Sequence, residues 1–115
     1  MKPLKIVEKP WGSEIWIAHT DKYALKIINV KQGCRSSLQY HDIKAEHIYV
    51  DEGILEVEEM IDGALVKNRY EKGDVVENPP KKQHRTNAVT DVRLIEVSTP
   101  ELDDVVRIED DFGRV

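Results

Sequence analysis

Apolar and polar residues alternate along this chain in short runs, and turn-forming residues break the alternation at short intervals. A period of two puts successive side chains on opposite faces of an extended backbone, so each run predicts a β-strand. The runs fall at residues 13–18, 23–31, 36–41, 45–50, 54–61, 64–70, 75–77, 83–87 and 92–97. In the second run Tyr23, Leu25 and Ile27 share one face, while Ala24, Lys26, Ile28 and Val30 share the other. Apolar groups on both faces predict a strand lying between two layers. Asp62-Gly63 is a two-residue hairpin signal, because that turn needs positive φ. Gln32-Gly33, Asp51-Glu52-Gly53 and Lys72-Gly73-Asp74 mark further turns, and Asn78-Pro79-Pro80 cannot lie inside a sheet. Residues 102–110 read as a short helix or an extended arm. Many short strands without a long amphipathic helix predict an all-β sandwich or barrel.

Length and composition narrow this further. The chain has 115 residues, which fit one domain over residues 1–115. Hydrophobic residues make up 40% and charged residues 34%, the balance of a folded globular chain rather than a disordered one. The net charge of -5 and the lack of a basic patch interleaved with aromatics argue against a nucleic-acid partner. Lys81, Lys82 and Arg85 form the densest basic spot, read as a solvated loop with room to hold one small phosphate. No run approaches the roughly 18 apolar residues of a membrane helix, and the N-terminus lacks the apolar stretch of a signal peptide. The single cysteine, Cys34, cannot form an internal disulfide. No membrane partner and a cytoplasmic location are therefore expected.

Four residues stand out as possible metal ligands. Gln39 and His41 are two apart on an expected strand and so point the same way. Glu46 opens the next strand on a face shared with Ile48 and Val50, and His84 opens a later strand after the Pro-Pro turn. A barrel can bring all four into one pocket. Two imidazoles, a carboxylate and an amide oxygen suit one divalent transition metal ion such as Zn²⁺, Mn²⁺, Fe²⁺ or Ni²⁺. With one carboxylate the site stays net positive, which favours an anionic reacting species. Each histidine alone has the ordinary alternative of a hydrogen-bonded or exposed residue. His47 neighbours Glu46 but faces the other way, so it is read as structural or exposed. Glu58 and Glu59 are read as exposed strand residues, and Trp11 and Trp16 as packed or interfacial. Glu96, among apolar neighbours, either supports a ligand as an acceptor or faces solvent.

The spacing carries a resemblance. Gly33, Gln39, His41, Glu46 and Gly53 are spaced as in the first cupin motif (about residues 33–53), with Gln39 in place of its first histidine. Gly73, Pro79, His84 and Asn87 resemble the second (about residues 73–87). Lys81 stands where a glycine is usual, and Asn87 comes one residue early, so a turn of different shape is expected after Pro79. Pro10-Trp11-Gly12-Ser13, Ser37-Leu38-Gln39-Tyr40-His41, Ala45-Glu46-His47, His84-Arg85, Leu94-Ile95-Glu96-Val97 and Ile108-Glu109-Asp110-Asp111-Phe112-Gly113-Arg114 are similar to the type II phosphomannose isomerase domain. That domain forms the C-terminal part of bifunctional mannose-1-phosphate guanylyltransferases. The resemblance runs from about Pro10 to Arg114.

It implies a single-domain cupin, a double-stranded β-helix or jelly-roll barrel, with Gln39, His41, Glu46 and His84 as metal ligands. It implies interconversion of mannose 6-phosphate and fructose 6-phosphate through an enediol, with a sugar or sugar phosphate as partner. Such chemistry needs a base near the carbon, an electrophile at the oxygens and a hold on the phosphate. Lys44 stands where the family usually has the arginine associated with isomerase activity. Lysine keeps the charge but not the planar fork; its roles would be to hold a phosphate oxygen or, with a lowered pKa, to act as the catalytic base. Lys26, Arg85 and Arg114, with Arg107, are further candidates for anion contacts. The rival readings are a metal-containing cupin that binds a sugar without turnover, and a dioxygenase, against which Gln39 speaks. A homodimer is expected by analogy with small cupins and from an N-terminal strand edge to be covered.

Overall fold

The computed structural model describes all 115 residues and contains eleven strands. They are β1 (Lys5–Lys9), β2 (Gly12–His19), β3 (Ala24–Val30), β4 (Leu38–Tyr40), β5 (Glu46–Glu52), β6 (Ile54–Ile61), β7 (Ala64–Glu71), β8 (Val75–Asn78), β9 (His84–Ala88), β10 (Val92–Ser98) and β11 (Val106–Glu109). Two antiparallel sheets result. One has the order β1-β2-β3-β10-β5-β8, the other β11-β4-β9-β6-β7. No helix is long and apolar enough to cross a membrane.

Local chemistry explains the boundaries. Asp62 (φ 50°) and Gly63 (φ 81°) both adopt the left-handed region, so β6 and β7 close in the tight turn their sequence demands. β8 stops at Asn78, immediately before Pro79. β4 is shorter than expected. The Ser36 hydroxyl, rather than a backbone carbonyl, accepts the Thr86 amide at 3.0 Å and so interrupts the ladder. The turn after Pro79 corrects one expectation: Lys81 takes φ 69°, the left-handed conformation that a glycine would supply there. Its amide donates to the carbonyl of His41, which pins the Pro-Pro turn to the end of β4. Residues 102–110 resolve as the extended arm, ending in β11 against β4. β1, whose apolar pattern is masked by Lys5, Glu8 and Lys9, is an edge strand on β2.

Inward-facing side chains of both sheets form the core: Ile28 and Val30 from β3, Ile48 and Val50 from β5, Leu55 and Val57 from β6, Val76 from β8, Val92 and Leu94 from β10. Trp11 joins them, and Cys34 packs against them. These residues fill one end of the space between the sheets; the other end is polar.

Candidate metal centre

At the polar end a cavity of about 340 Å³ opens between the sheets. Gln39, His41, Glu46 and His84 all line it, so the structure brings the four candidate ligands to one place. His84 sits on β9 directly across from Gln39 on β4, and His41 follows β4 by one residue. Glu46 reaches the same pocket as the first inward position of β5. One ligand atom from each of His41, Glu46 and His84 lies within 4.8 Å of the others. Glu46 Oε1 is 2.7 Å from His41 Nε2 and 3.9 Å from His84 Nε2. Donors about 2.0–2.2 Å from one ion stand roughly 3–4 Å apart, so this spread suits a shared cation.

The hydrogen bonds set the chemistry of these donors. His41 Nδ1 lies 2.6 Å from the carbonyl of Asp104, and His84 Nδ1 2.9 Å from the carbonyl of Lys82. A carbonyl only accepts, so each Nδ1 carries the proton and each Nε2 presents its lone pair to the cluster. His41 Nε2 is buried and has no hydrogen-bond partner. A lone pair facing a carboxylate oxygen at 2.7 Å is repulsive until a cation lies between them. The donor set therefore fits a divalent ion. Gln39 Oε1 accepts from Ser37 Oγ at 2.7 Å, which orients the amide oxygen and leaves it a second lone pair. Burial favours the neutral form of Glu46, but the Lys44 ammonium beside it helps hold the carboxyl well below its ordinary range. Burial pushes the His84 imidazole below its usual value, toward the neutral, ligating form.

A ring of charges surrounds the cluster. Lys44 is buried, 3.2 Å from Glu96 and 3.6 Å from Glu46. Burial opposes its charge, yet Glu96 and Glu46 prevail and hold its pKa above the ordinary lysine value. Lys44 therefore stands in the cavity wall as a buried cation between two carboxylates. Glu96, one of the two options left open by the sequence, is buried and lines the cavity. Burial and the Glu46 carboxylate push it up to about 7 against the pull of Lys44 and Lys26. Lys26 lines the cavity, paired with buried Glu14 at 3.0 Å. Arg114 also reaches the cavity and forks onto Asp110 with two bonds of 2.8 Å.

Arg85 is a correction. It follows His84 on β9, so strand alternation turns it away from the cavity. It is buried beneath the C-terminal arm, donating to the carbonyls of Ser36 and Glu109 at 3.0 and 3.2 Å. Glu59 is a second correction: it shares the inward parity of Leu55 and Val57 on β6, is buried, and accepts from Asn68, Tyr70 and Lys82. His47 is exposed, 3.1 Å from Glu77. Sequence reasoning missed Asp104 altogether. Its carboxylate collects the amides of Asp42, Ile43 and Lys44 while its carbonyl holds His41. Glu14 was also missed, although a charge at an inward strand position was a readable signal.

A jelly-roll barrel of two antiparallel sheets, with this His-Glu-His cluster at one end, defines a cupin. Among solved structures, KdgF from Halomonas sp. superposes with a TM-score of 0.76 at 24% identity, covering 86% of this chain and 88% of that one. Oxalate decarboxylase from Bacillus subtilis gives 0.80 at 16% identity, over 90% of this chain and 30% of that one. Residues 2–110 match the family described as mannose-6-phosphate isomerase C-terminal, and the chain belongs to that family. Mannose-1-phosphate guanylyltransferase of Escherichia coli K12 is 37% identical over 121 residues, covering 95% of this chain. The xanthan biosynthesis protein XanB of Xanthomonas campestris is 34% identical over 117 residues, covering 94%. The chain spans 23% of the length of each of these two relatives.

Proposed function

We propose that this cupin holds one divalent transition metal ion with Gln39, His41, Glu46 and His84 and interconverts an aldose and a ketose phosphate, mannose 6-phosphate and fructose 6-phosphate. The observation that carries the reading is the convergence of that donor set on a cavity rich in cations. Five cationic side chains (Lys9, Lys26, Lys44, Arg107, Arg114) and four carboxylates (Glu14, Glu46, Glu96, Asp103) line it. A divalent ion adds to the positive side, which suits an anionic sugar. The volume lies at the lower end of the roughly 300–1,000 Å³ range of small-molecule pockets. Bound there, the ion would supply Lewis acidity at the sugar oxygens while a proton moves between C2 and C1. Lys44 Nζ keeps its own proton and places a fixed positive charge where negative charge develops on those oxygens. Glu96 and Glu46 fix that ammonium group in place.

A second reading, a cupin that holds a sugar phosphate without turnover, is favoured by the same Lys44. Its two carboxylate partners hold it protonated, which removes it as a base. Purified protein should contain about one equivalent of transition metal, and it should convert mannose 6-phosphate slowly in a reaction that EDTA abolishes. No metal after reloading removes both readings. Background conversion with saturating metal leaves only the binding reading. Lys44→Arg, which restores the planar fork, should raise turnover; an unchanged rate would place the substrate away from Lys44.

Pairing into a homodimer is part of this proposal. Ile6, Ile15, Ile27, Ile95, Tyr49 and Val75 stand in register across the six strands of one sheet, on its outer face. Ile6, Tyr49 and Val75 are exposed. Such an uncovered apolar row suits a self-complementary contact. Sedimentation equilibrium giving only a 13.3 kDa particle would remove the dimer.

A further inference from the structure

Among the cations of the cavity, Arg107 is in a different state from the rest. Lys26 is spent on Glu14, Lys44 on Glu96 and Glu46, and Arg114 on Asp110. Lys9, the last residue of edge strand β1, makes no ion pair but leaves no buried nitrogen without a partner. Arg107 makes no ion pair, although it lines the cavity and is half-buried, and its Nε is buried with no hydrogen-bond partner. Asp110 reaches it only through space, while both oxygens of that carboxylate accept from Arg114. A guanidinium nitrogen withdrawn from water with no acceptor is costly unless a ligand supplies one.

Its placement is built into the sheet. Arg107 stands directly across from Gln39 in the pairing of β11 with β4, so both side chains share the face that lines the cavity. The ladder shifts register between Arg107 and Glu109, the kind of irregularity that re-aims a side chain. The guanidinium offers a planar fork matched to two oxygens of one phosphate, a match the lysines of the pocket cannot make.

We propose that Arg107 is the anchor for the phosphate oxyanion of a phosphorylated sugar, holding that end of the ligand while the sugar lies toward His41, Glu46 and His84. The inference rests on the sugar-phosphate reading for its ligand class, but the anchor is tested separately with inorganic phosphate. In ¹⁵N-labelled, metal-loaded protein, phosphate should shift one arginine Nε–H resonance, and that resonance should vanish in Arg107→Lys. Arg107→Gln should weaken phosphate and mannose 6-phosphate binding about 10- to 100-fold, the range expected for a charge-assisted pair. Metal content should stay that of the parent protein, and Arg107→Lys should bind with intermediate affinity. Unchanged phosphate affinity in folded, metal-loaded Arg107→Gln overturns the anchor. If that variant also keeps its conversion of mannose 6-phosphate, the anchor falls and the isomerase reading stands. If phosphate engages Arg107 but no sugar phosphate is converted, the anchor stands and the isomerase reading falls.

Discussion

The two ends of the barrel interior are built from the same strands with opposite chemistry. On β3 the inward positions run from Lys26 to Ile28 and Val30; on β5, from Glu46 to Ile48 and Val50; on β10, from Glu96 to Leu94 and Val92. The pairing aligns these gradients: Glu96 faces Lys26, Leu94 faces Ile28, and Val92 faces Val30. One end therefore holds close-packed aliphatic side chains, the other a group of buried charges around one pocket. Buried charges cost desolvation that ion pairing only partly offsets. The apolar end supplies the stability that lets the polar end keep its buried ion pairs and the unpartnered His41 Nε2 and Arg107 Nε around one pocket.

Damage to one end should leave the other working. The largest effect is expected from Leu55→Ala, a fully buried side chain at the apolar end. It should cost about 3–4 kcal/mol, read from denaturant midpoints, with metal content unchanged. Loss of the metal in that variant would break the comparison. Next comes removal of the ion: stripping it from protein held at a free concentration about a hundred times its Kd should lower stability by about 2.7 kcal/mol. The two losses should add to within about 0.5 kcal/mol, as expected of distant sites; a larger discrepancy would show that the ends are coupled. The smallest effect is at the Pro-Pro turn. Lys81→Gly should stabilise by about 0.5–1 kcal/mol, because it relieves a left-handed non-glycine residue (φ 69°) at a modest entropic loss. A loss of stability would mean that the lysine side chain contributes more than its backbone costs.

How far these features could be read in advance follows the same gradient. Strands bounded by strong turn chemistry were legible, β6 and β7 most clearly, because Asp62-Gly63 permits little else. β1 was hidden because edge strands carry charges where a central strand carries apolar groups, and KIVEK reads as surface. In the site, alternation made Gln39 and His41 legible as sharing one face, and the resemblance to the two cupin motifs joined Glu46 and His84 to them. Arg85 was misplaced although the same alternation, applied from His84, turns it outward. The parts that escaped depend on contacts between residues distant along the chain. Asp104 meets His41 only after the C-terminal arm folds back. The protonated state of Lys44 depends on Glu96, which lies 52 positions away.

That arm gives the cavity a vulnerable seam. Within one stretch of about a dozen residues it carries the acceptor that orients His41, the carboxylate that gathers the amides of residues 42–44, and two of the lining arginines. A protease that nicked the chain before Asp104 would leave most strands of both sheets intact, so circular dichroism and solubility would look nearly normal. With the phosphate held at Arg107 as proposed, the same cut should abolish its capture. For such a barrel, intact mass, not folded signal, is the quality control that matters before any assay is believed.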